Sequence, residues 1–421
     1  MSSRVIPLEI VSLKTKKMSV SAEEQGSINA GCHDEPGKTD ENVNEELLRT
    51  VEEIYSALLK AMKCFGAYFG DTSFNRFLQG GSSSGQKPWS YVCAGFCCLM
   101  VLGQWFNVAI PLVCVFFYGS KIYTLLFFDM WCLLVALNIT VSLIVLPLTG
   151  VWKSRFEKFI SYLRLVQSKS IRLEKTRSKG KIYLVSSGFF IVVVGIAGIY
   201  ILVHILDMNF GNHKPWNAWS GFRIIYPFFL TIGVALWLLP MVFYCTTCLL
   251  LEALFDDLDM RKASLDLTTL RLEHYRLCKV VELADNLLSP ALLMVVGLCI
   301  PFICFALHQI AKIDHFPKEE TPGFLVITII WLLASSAELA VVMIFGSKVN
   351  DKIHSIRTYL CSDQVSASDE KQILLFMMYL MDLQEENKGL SIGGLTVITK
   401  SLSVTFVGAI ISYFAVMLSL P

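Results

Sequence analysis

The chain has 421 residues and a formal net charge of +1; 54% of it is hydrophobic and 17% charged, well beyond the apolar content of an ordinary soluble domain. A mean hydropathy of +0.57 points to a polytopic membrane protein. The near-zero net charge names no partner class, and neither a nucleic acid nor a cofactor is expected.

The elements follow in chain order. Residues 1–45 are rich in Ser, Glu, Asp, Gly and Asn and lack an apolar run long enough for a signal peptide, so they read as a disordered tail. Within 46–88, Leu47, Leu48, Val51, Ile54, Leu58, Leu59 and Met62 recur at helical spacing, which predicts an amphipathic helix on the inner leaflet or against neighbouring helices. A linker, Gly80-Gly81-Ser82-Ser83-Ser84-Gly85, leads to the membrane-spanning region 89–420.

A bilayer core about 30 Å thick needs on the order of 20 apolar residues per helix. That length selects Tyr91–Phe117, Tyr123–Leu146, Ile182–Ile205, Ile224–Leu250, Pro290–Leu307, Gly323–Phe345 and Leu402–Leu420 as spans one to seven of an all-α protein. Lys and Arg assign the sides. The connection after span two carries Lys153, Arg155, Lys158, Arg164, Lys169, Arg172, Lys175, Arg177, Lys179 and Lys181. The connections after spans one, three and five hold only Lys121, then Lys214 and Arg223, then Lys312 and Lys318. The expected N-terminus is therefore cytoplasmic and the C-terminus, at Pro421, extracellular, opposite to a G-protein-coupled receptor.

After spans four and six the apolar periodicity continues, through Leu254, Phe255, Leu258, Leu270, Leu277, Val280, Val281 and Leu287, and through Ile353, Ile356, Leu360, Ile373, Leu374, Met377, Leu380, Met381 and Leu383. These stripes predict helical extensions into the cytoplasm over about 251–288 and 347–400. Subunits meeting there and packing within one chain both explain them.

Chemistry-bearing motifs are sparse. Cys245-Thr246-Thr247-Cys248 formally reads CxxC but sits in an apolar helix, where Cys packs as a small hydrophobe, and no metal spacing stands out among the 13 cysteines. Asn138-Ile139-Thr140 is a glycosylation sequon inside span two. No phosphate loop, HExxH or GxSxG pattern occurs, so no enzyme and no catalytic residue is expected. Span seven is different: Thr405, Ala409, Ser412, Val416 and Ser419 recur at steps of four and three residues, a small, weakly polar stripe. Copies of such a helix around an axis would line a conduit with Val416 as a hydrophobic ring, though small residues also line ordinary membrane-helix interfaces.

The run Gly393-Gly394-Leu395-Thr396-Val397, followed by Leu402 to Gly408-Ala409-Ile410-Ile411-Ser412-Tyr413 and an apolar end, resembles the last-helix signature of the insect chemoreceptor superfamily, its gustatory and gustatory-receptor-like members in particular. Tyr413 matches the family's Tyr; Ser412 stands for its Thr and Ser419 for its Gln. The resemblance implies a seven-helix, ligand-gated cation channel in the plasma membrane, homo- or heterotetrameric around the seventh helices, opened by a small molecule, with a cytoplasmic anchor bundle. It also implies a ligand pocket among spans two, three, four and six in the outer half of the membrane. The residues this chain places at that depth are Asp129, Tyr200, His204, Tyr226 and Trp331. Asp129 is the most informative, because an ionisable group within a span is costly and needs a partner, for which His204 is the candidate. Snorkelling of Asp129 and aromatic-belt placement of Tyr226 are the competing readings. The rival functions are a receptor signalling through G proteins, which would need the inverse orientation, and a multispan transporter, which would show dependence on a substrate gradient.

Overall fold

The computed structural model describes residues 53, 55–62, helical positions between 95 and 105, 151–163, 166, 185, 188, 222–311, 321–362, 370–384 and 388–419. The chain divides into a unit Met1–Asn42 and a unit Val43–Pro421, and every described residue lies in the second. The expectation for the 1–45 tail and most of spans one to three fall outside the described residues.

Helix α1 (55–62) buries Tyr55, Leu58, Leu59 and Met62, and α2 (Val151–Leu163) buries Phe156, Phe159, Ile160 and Leu163. Both sets follow the i, i+3, i+4, i+7 pattern that puts side chains on one helix face, and the two faces meet. The Tyr55 ring stands 5.9 Å from Phe156, 6.4 Å from Phe159 and 5.3 Å from Phe243 of the next helix, centroid to centroid. The Thr247 hydroxyl donates to the Phe243 carbonyl (2.9 Å), so the Tyr55 hydroxyl donates to Thr247 Oγ1, also at 2.9 Å. Burial holds the Tyr55 phenol well above its ordinary pKa, which keeps it a neutral donor. Of the two sequence readings for the amphipathic helix, packing against neighbouring helices is the one its described part follows.

Three long helices form the body: α3 (Phe222–Arg261), α4 (Leu267–Ala311) and α5 (Thr321–Ser362). With 40, 45 and 42 residues they outlast the membrane; at 1.5 Å per residue each reaches about 60 Å, twice the hydrocarbon thickness. Among the described residues, Leu238–Ser264, Leu267–Ala311 and Thr328–Arg357 are long and apolar enough to cross a bilayer. Spans four and six thus run on without a break as far as Arg261 and Ser362; of the remaining periodicity, the residues from Leu270 to Leu287 belong to the helix of span five, and those from Ile373 to Leu383 to a separate helix, Glu370–Gln384.

Polar groups set the turn between α3 and α4. Arg261 pairs with Asp257 one turn back and with Glu273 across the turn, at 3.1 and 3.0 Å. Asp266 then caps α4, its carboxylate accepting the Thr269 N–H at 3.2 Å, and its bonds to Thr269 hold its pKa below the ordinary carboxylate value. Lys262 reaches over the Tyr359 ring, 4.4 Å from its centroid, and Lys352 of α5 pairs with Asp256 of α3 at 2.5 Å. Further along, the Tyr244 hydroxyl donates to the Val342 carbonyl at 2.7 Å, tying α3 to α5.

Two prolines, Pro290 and Pro301, lie inside α4. A proline has no N–H for the carbonyl four residues earlier. For Pro290 that carbonyl belongs to Asn286, and the Arg155 guanidinium of α2 donates to it at 2.6 Å. The basic side chain therefore satisfies the acceptor that the proline leaves over, joining α2 to α4.

Helix α6 (Glu370–Gln384) buries Tyr379 and Leu383 while Leu374, Met377 and Met381 remain exposed. One departure from an all-helical chain follows: a two-residue hairpin, β1 (Ser391–Ile392) with β2 (Thr396–Val397), antiparallel, Ser391 opposite Val397. It connects to α7 (Lys400–Ser419), the expected span seven.

Candidate functional site

Helix α7 begins where Thr399 caps it, Oγ1 accepting the Leu402 N–H at 3.1 Å. Leu402, Phe406 and Ile410 recur every fourth residue and pack against the core through α4 and α5. Much of the remaining surface of the helix is exposed. Thr405, Ala409, Ser412 and Val416 are all exposed, Val416 at 58%, and the Thr405 hydroxyl turns back to the Ser401 carbonyl at 3.0 Å. Ser419 is the last helical residue. Val404, Val407, Ile411 and Tyr413 are exposed as well, so exposure within one protomer does not separate the small stripe from the bulkier face beside it. An apolar helix uncovered around most of its circumference needs lipid or other protein there. Lys400, the first residue of α7, pairs with Asp351 of α5 at 2.8 Å; both are exposed, and such a pair contributes no more than about 1 kcal/mol.

The hairpin that leads into α7 is held far more firmly. Asp285 of α4 accepts the Ser391 N–H at 2.5 Å, and the Ser391 hydroxyl lies 2.9 and 2.8 Å from its two carboxylate oxygens. The same hydroxyl oxygen accepts the Gly394 N–H at 3.1 Å. The Gly393 N–H reaches the Ser289 carbonyl at 3.0 Å, next to Pro290, and Asn350 of α5 donates to the Lys388 carbonyl at 3.0 Å. Gly393 and Gly394 take φ of +63° and +73°, a region that L side chains rarely adopt. The sequence reading used Gly393-Gly394 only as part of a signature. Two adjacent glycines between Ser391-Ile392 and Thr396-Val397 are also a turn signal, and that signal would have found the hairpin.

Of the residues expected to bind ligand, Trp331 lies half-buried on α5 and Tyr226 lies on α3, while Asp129, Tyr200 and His204 are outside the described residues. Convergence of the five is therefore an expectation from sequence. Glu338, deeper on α5, is buried and accepts the Cys299 thiol at 3.2 Å. Thr246 and Thr247 of the formal CxxC bond to carbonyls one turn back, at 2.7 and 2.9 Å, and Cys248 is buried, as packing residues are. Among the described residues no three His, Cys, Asp or Glu side chains cluster as a metal site.

Helices longer than a membrane is thick, two of them joined by a short polar turn, and followed by an apolar helix seated on the core by Leu402, Phe406 and Ile410, describe a polytopic membrane protein. The chain belongs to the 7tm chemosensory receptor family, whose model matches residues 55–418. Its fold is similar to that of the insect olfactory receptor OR5 from Machilis hrabei, with a TM-score of 0.64 at 11% identity over 89% of this chain and 100% of that one. The structure of OR5 in complex with eugenol matches with a TM-score of 0.63 at 10% identity over 89% and 100% of the two chains. No curated protein matches this chain in sequence.

Proposed function

We propose that this chain is a subunit of a ligand-gated cation channel of the gustatory-receptor-like type, in the plasma membrane, that assembles as a homo- or heterotetramer around α7. The observation that carries the reading is the attachment of α7 by one face, Leu402, Phe406 and Ile410, with its small stripe left exposed. Four such helices about an axis would cover that surface and give permeant ions a path, while an isolated subunit would leave it to lipid. The exposed Leu374, Met377 and Met381 of α6 supply a second apolar surface suited to subunit contact in a cytoplasmic anchor bundle. Membership of the chemosensory family and the fold shared with OR5, solved with eugenol, support a small-molecule ligand. The test is current recording in cells without endogenous receptors, with a panel of sugars, bitter compounds and small volatiles including eugenol. Normal surface delivery with no current to any of them, and ligand responses that require G proteins, would favour the receptor alternative.

Orientation is checked independently. Epitope tags at the two termini should stain on opposite faces of unpermeabilised cells, the C-terminal tag outside, because the basic connections after spans two, four and six share the N-terminal side. An external N-terminal tag with an internal C-terminal one would remove the channel reading.

The proposed pocket lies in the outer half of the helix bundle and includes Asp129, Tyr200, His204, Tyr226 and Trp331. Asp129→Asn and Trp331→Ala should each shift the half-maximal ligand concentration about tenfold, the equivalent of one lost polar or aromatic contact, at unchanged surface density and maximal current. Coincident dose–response curves for both variants would place the pocket elsewhere.

A further inference from the structure

We infer that Asp285 is a positioning residue for α7: by latching the 391–397 hairpin to α4 it fixes where the inner end of the pore-lining helix stands. The inference rests on the channel reading only for its effect on current. Three observations converge on this one joint. The Asp285 carboxylate gathers both the N–H and the hydroxyl of Ser391, and hydrogen bonds to a charged acceptor are roughly twice as strong as neutral ones. The Ser391 hydroxyl then holds the turn itself through the Gly394 N–H. Finally, glycines lie where the hairpin and the helices come closest: a Cβ at Gly393 would stand 2.8 Å from Leu293 of α4, one at Gly346 2.8 Å from Ile398, and one at Gly389 2.6 Å from Val397.

The consequence for α7 is geometric. Only Thr399 separates Ile398 from the first residue of the helix, and the Ile398 N–H is itself bonded to the Leu390 carbonyl across the hairpin at 2.8 Å. A displacement of the hairpin therefore moves the helix start with it. Beyond that start Leu402, Phe406 and Ile410 seat the helix on the core. With the latch intact α7 has a single seat; with it broken, α7 samples several, and a closed ring of Val416 side chains is only one of them. Loss of Asp285 or Ser391 should thus raise ligand-independent current.

The experiment pairs hydrogen exchange on the purified full-length protein with current per surface receptor. Asp285→Ala and Ser391→Ala should each speed amide exchange in 391–398 and in the first turn of α7 about tenfold or more, with α3 and the buried parts of α5 unchanged. Asp285→Asn, which keeps an acceptor oxygen, should give a smaller rise, and the double alanine variant should fall short of the sum of the two, because both remove the hydroxyl–carboxylate bonds, while only Asp285→Ala loses the Ser391 N–H bond and only Ser391→Ala the Gly394 N–H bond. In cells the alanine variants should raise ligand-independent current several-fold at equal surface density. Exchange that stays at the wild-type rate, or rises equally throughout α3 to α5, overturns the assignment. So does a local rise in exchange with no change in current when Val416→Ser itself conducts. If Val416→Ser reaches the surface and passes no current, the channel reading fails, and the exchange data alone decide whether Asp285 positions α7.

Discussion

Replacing Val416 with Ser should produce a ligand-independent cation current several-fold above that of the wild type. A ring of valine side chains excludes water from a narrow constriction, and a hydroxyl of similar size wets it. Val416 is exposed in the single chain and shares a stripe with Thr405, Ala409 and Ser412, so a central axis of symmetry would bring four copies together. Cysteine substitution separates this from a lipid-facing role. Cysteines at Thr405, Ala409, Ser412, Val416 and Ser419 should be blocked by an aqueous thiol reagent when the channel opens. Those at Phe406 and Ile410, which pack on the core, should react slowly. Equal block on both faces, or none on either, would take α7 out of the conduction path. Ser419→Gln, which restores the family's usual amide at the outer end, should change conductance or cation preference without moving ligand sensitivity.

The second large effect is expected at Gly346. A Cβ there would lie 2.8 Å from Ile398 Cγ2 and 2.9 Å from both its Cβ and Cδ1. The Ile398 Cβ is bonded directly to its Cα, so no rotamer change moves it, and the fully buried Ile398 has nowhere to withdraw. Gly346→Ala should therefore cost about 1–3 kcal/mol, and Gly346→Val more, read as a lower thermal midpoint and several-fold less receptor at the surface. Ile398→Ala should recover part of the loss in the Gly346→Ala background, since it removes Cγ2 and Cδ1. An unchanged midpoint for Gly346→Ala would mean that α5 and the hairpin are not in close contact.

Much of the architecture was legible in the residues themselves, because the bilayer imposes a local rule. A helix that crosses it must be apolar for about 20 residues, so α3, α4, α5 and α7 announce themselves by composition. Their continuation past the membrane was visible for the same reason: the 3.6-residue period of Leu254, Leu258, Leu277, Val281, Ile353 and Ile356 persists where hydropathy falls. The small stripe on α7 and the family signature were likewise local patterns, and the family was correctly recognised from them. The depth expected for Asp129, Tyr200, His204, Tyr226 and Trp331 rests on span boundaries, but residues on separate spans leave no local trace of whether they converge.

What only the tertiary structure decided are pairings between distant residues. Tyr55 meets Thr247 across 192 positions of sequence, Arg155 meets the Asn286 carbonyl across 131, and Asp285 meets Ser391 across 106. None of these partners lies within reach of a helical or strand period, so no repeat in the sequence couples them. The Tyr55–Thr247 bond is buried, where folding leaves its polar atoms no water, while the other two lie nearer the surface and supply a partner for a group the chain leaves over locally. Pro290 leaves over a carbonyl that Arg155 takes, and Ser391 presents an amide and a hydroxyl that Asp285 gathers. The residues determined which helices form and which faces are apolar. The packed chain determined which buried polar groups had to find each other, since the penalty for an unmet hydrogen bond arises only once the helices have closed around it.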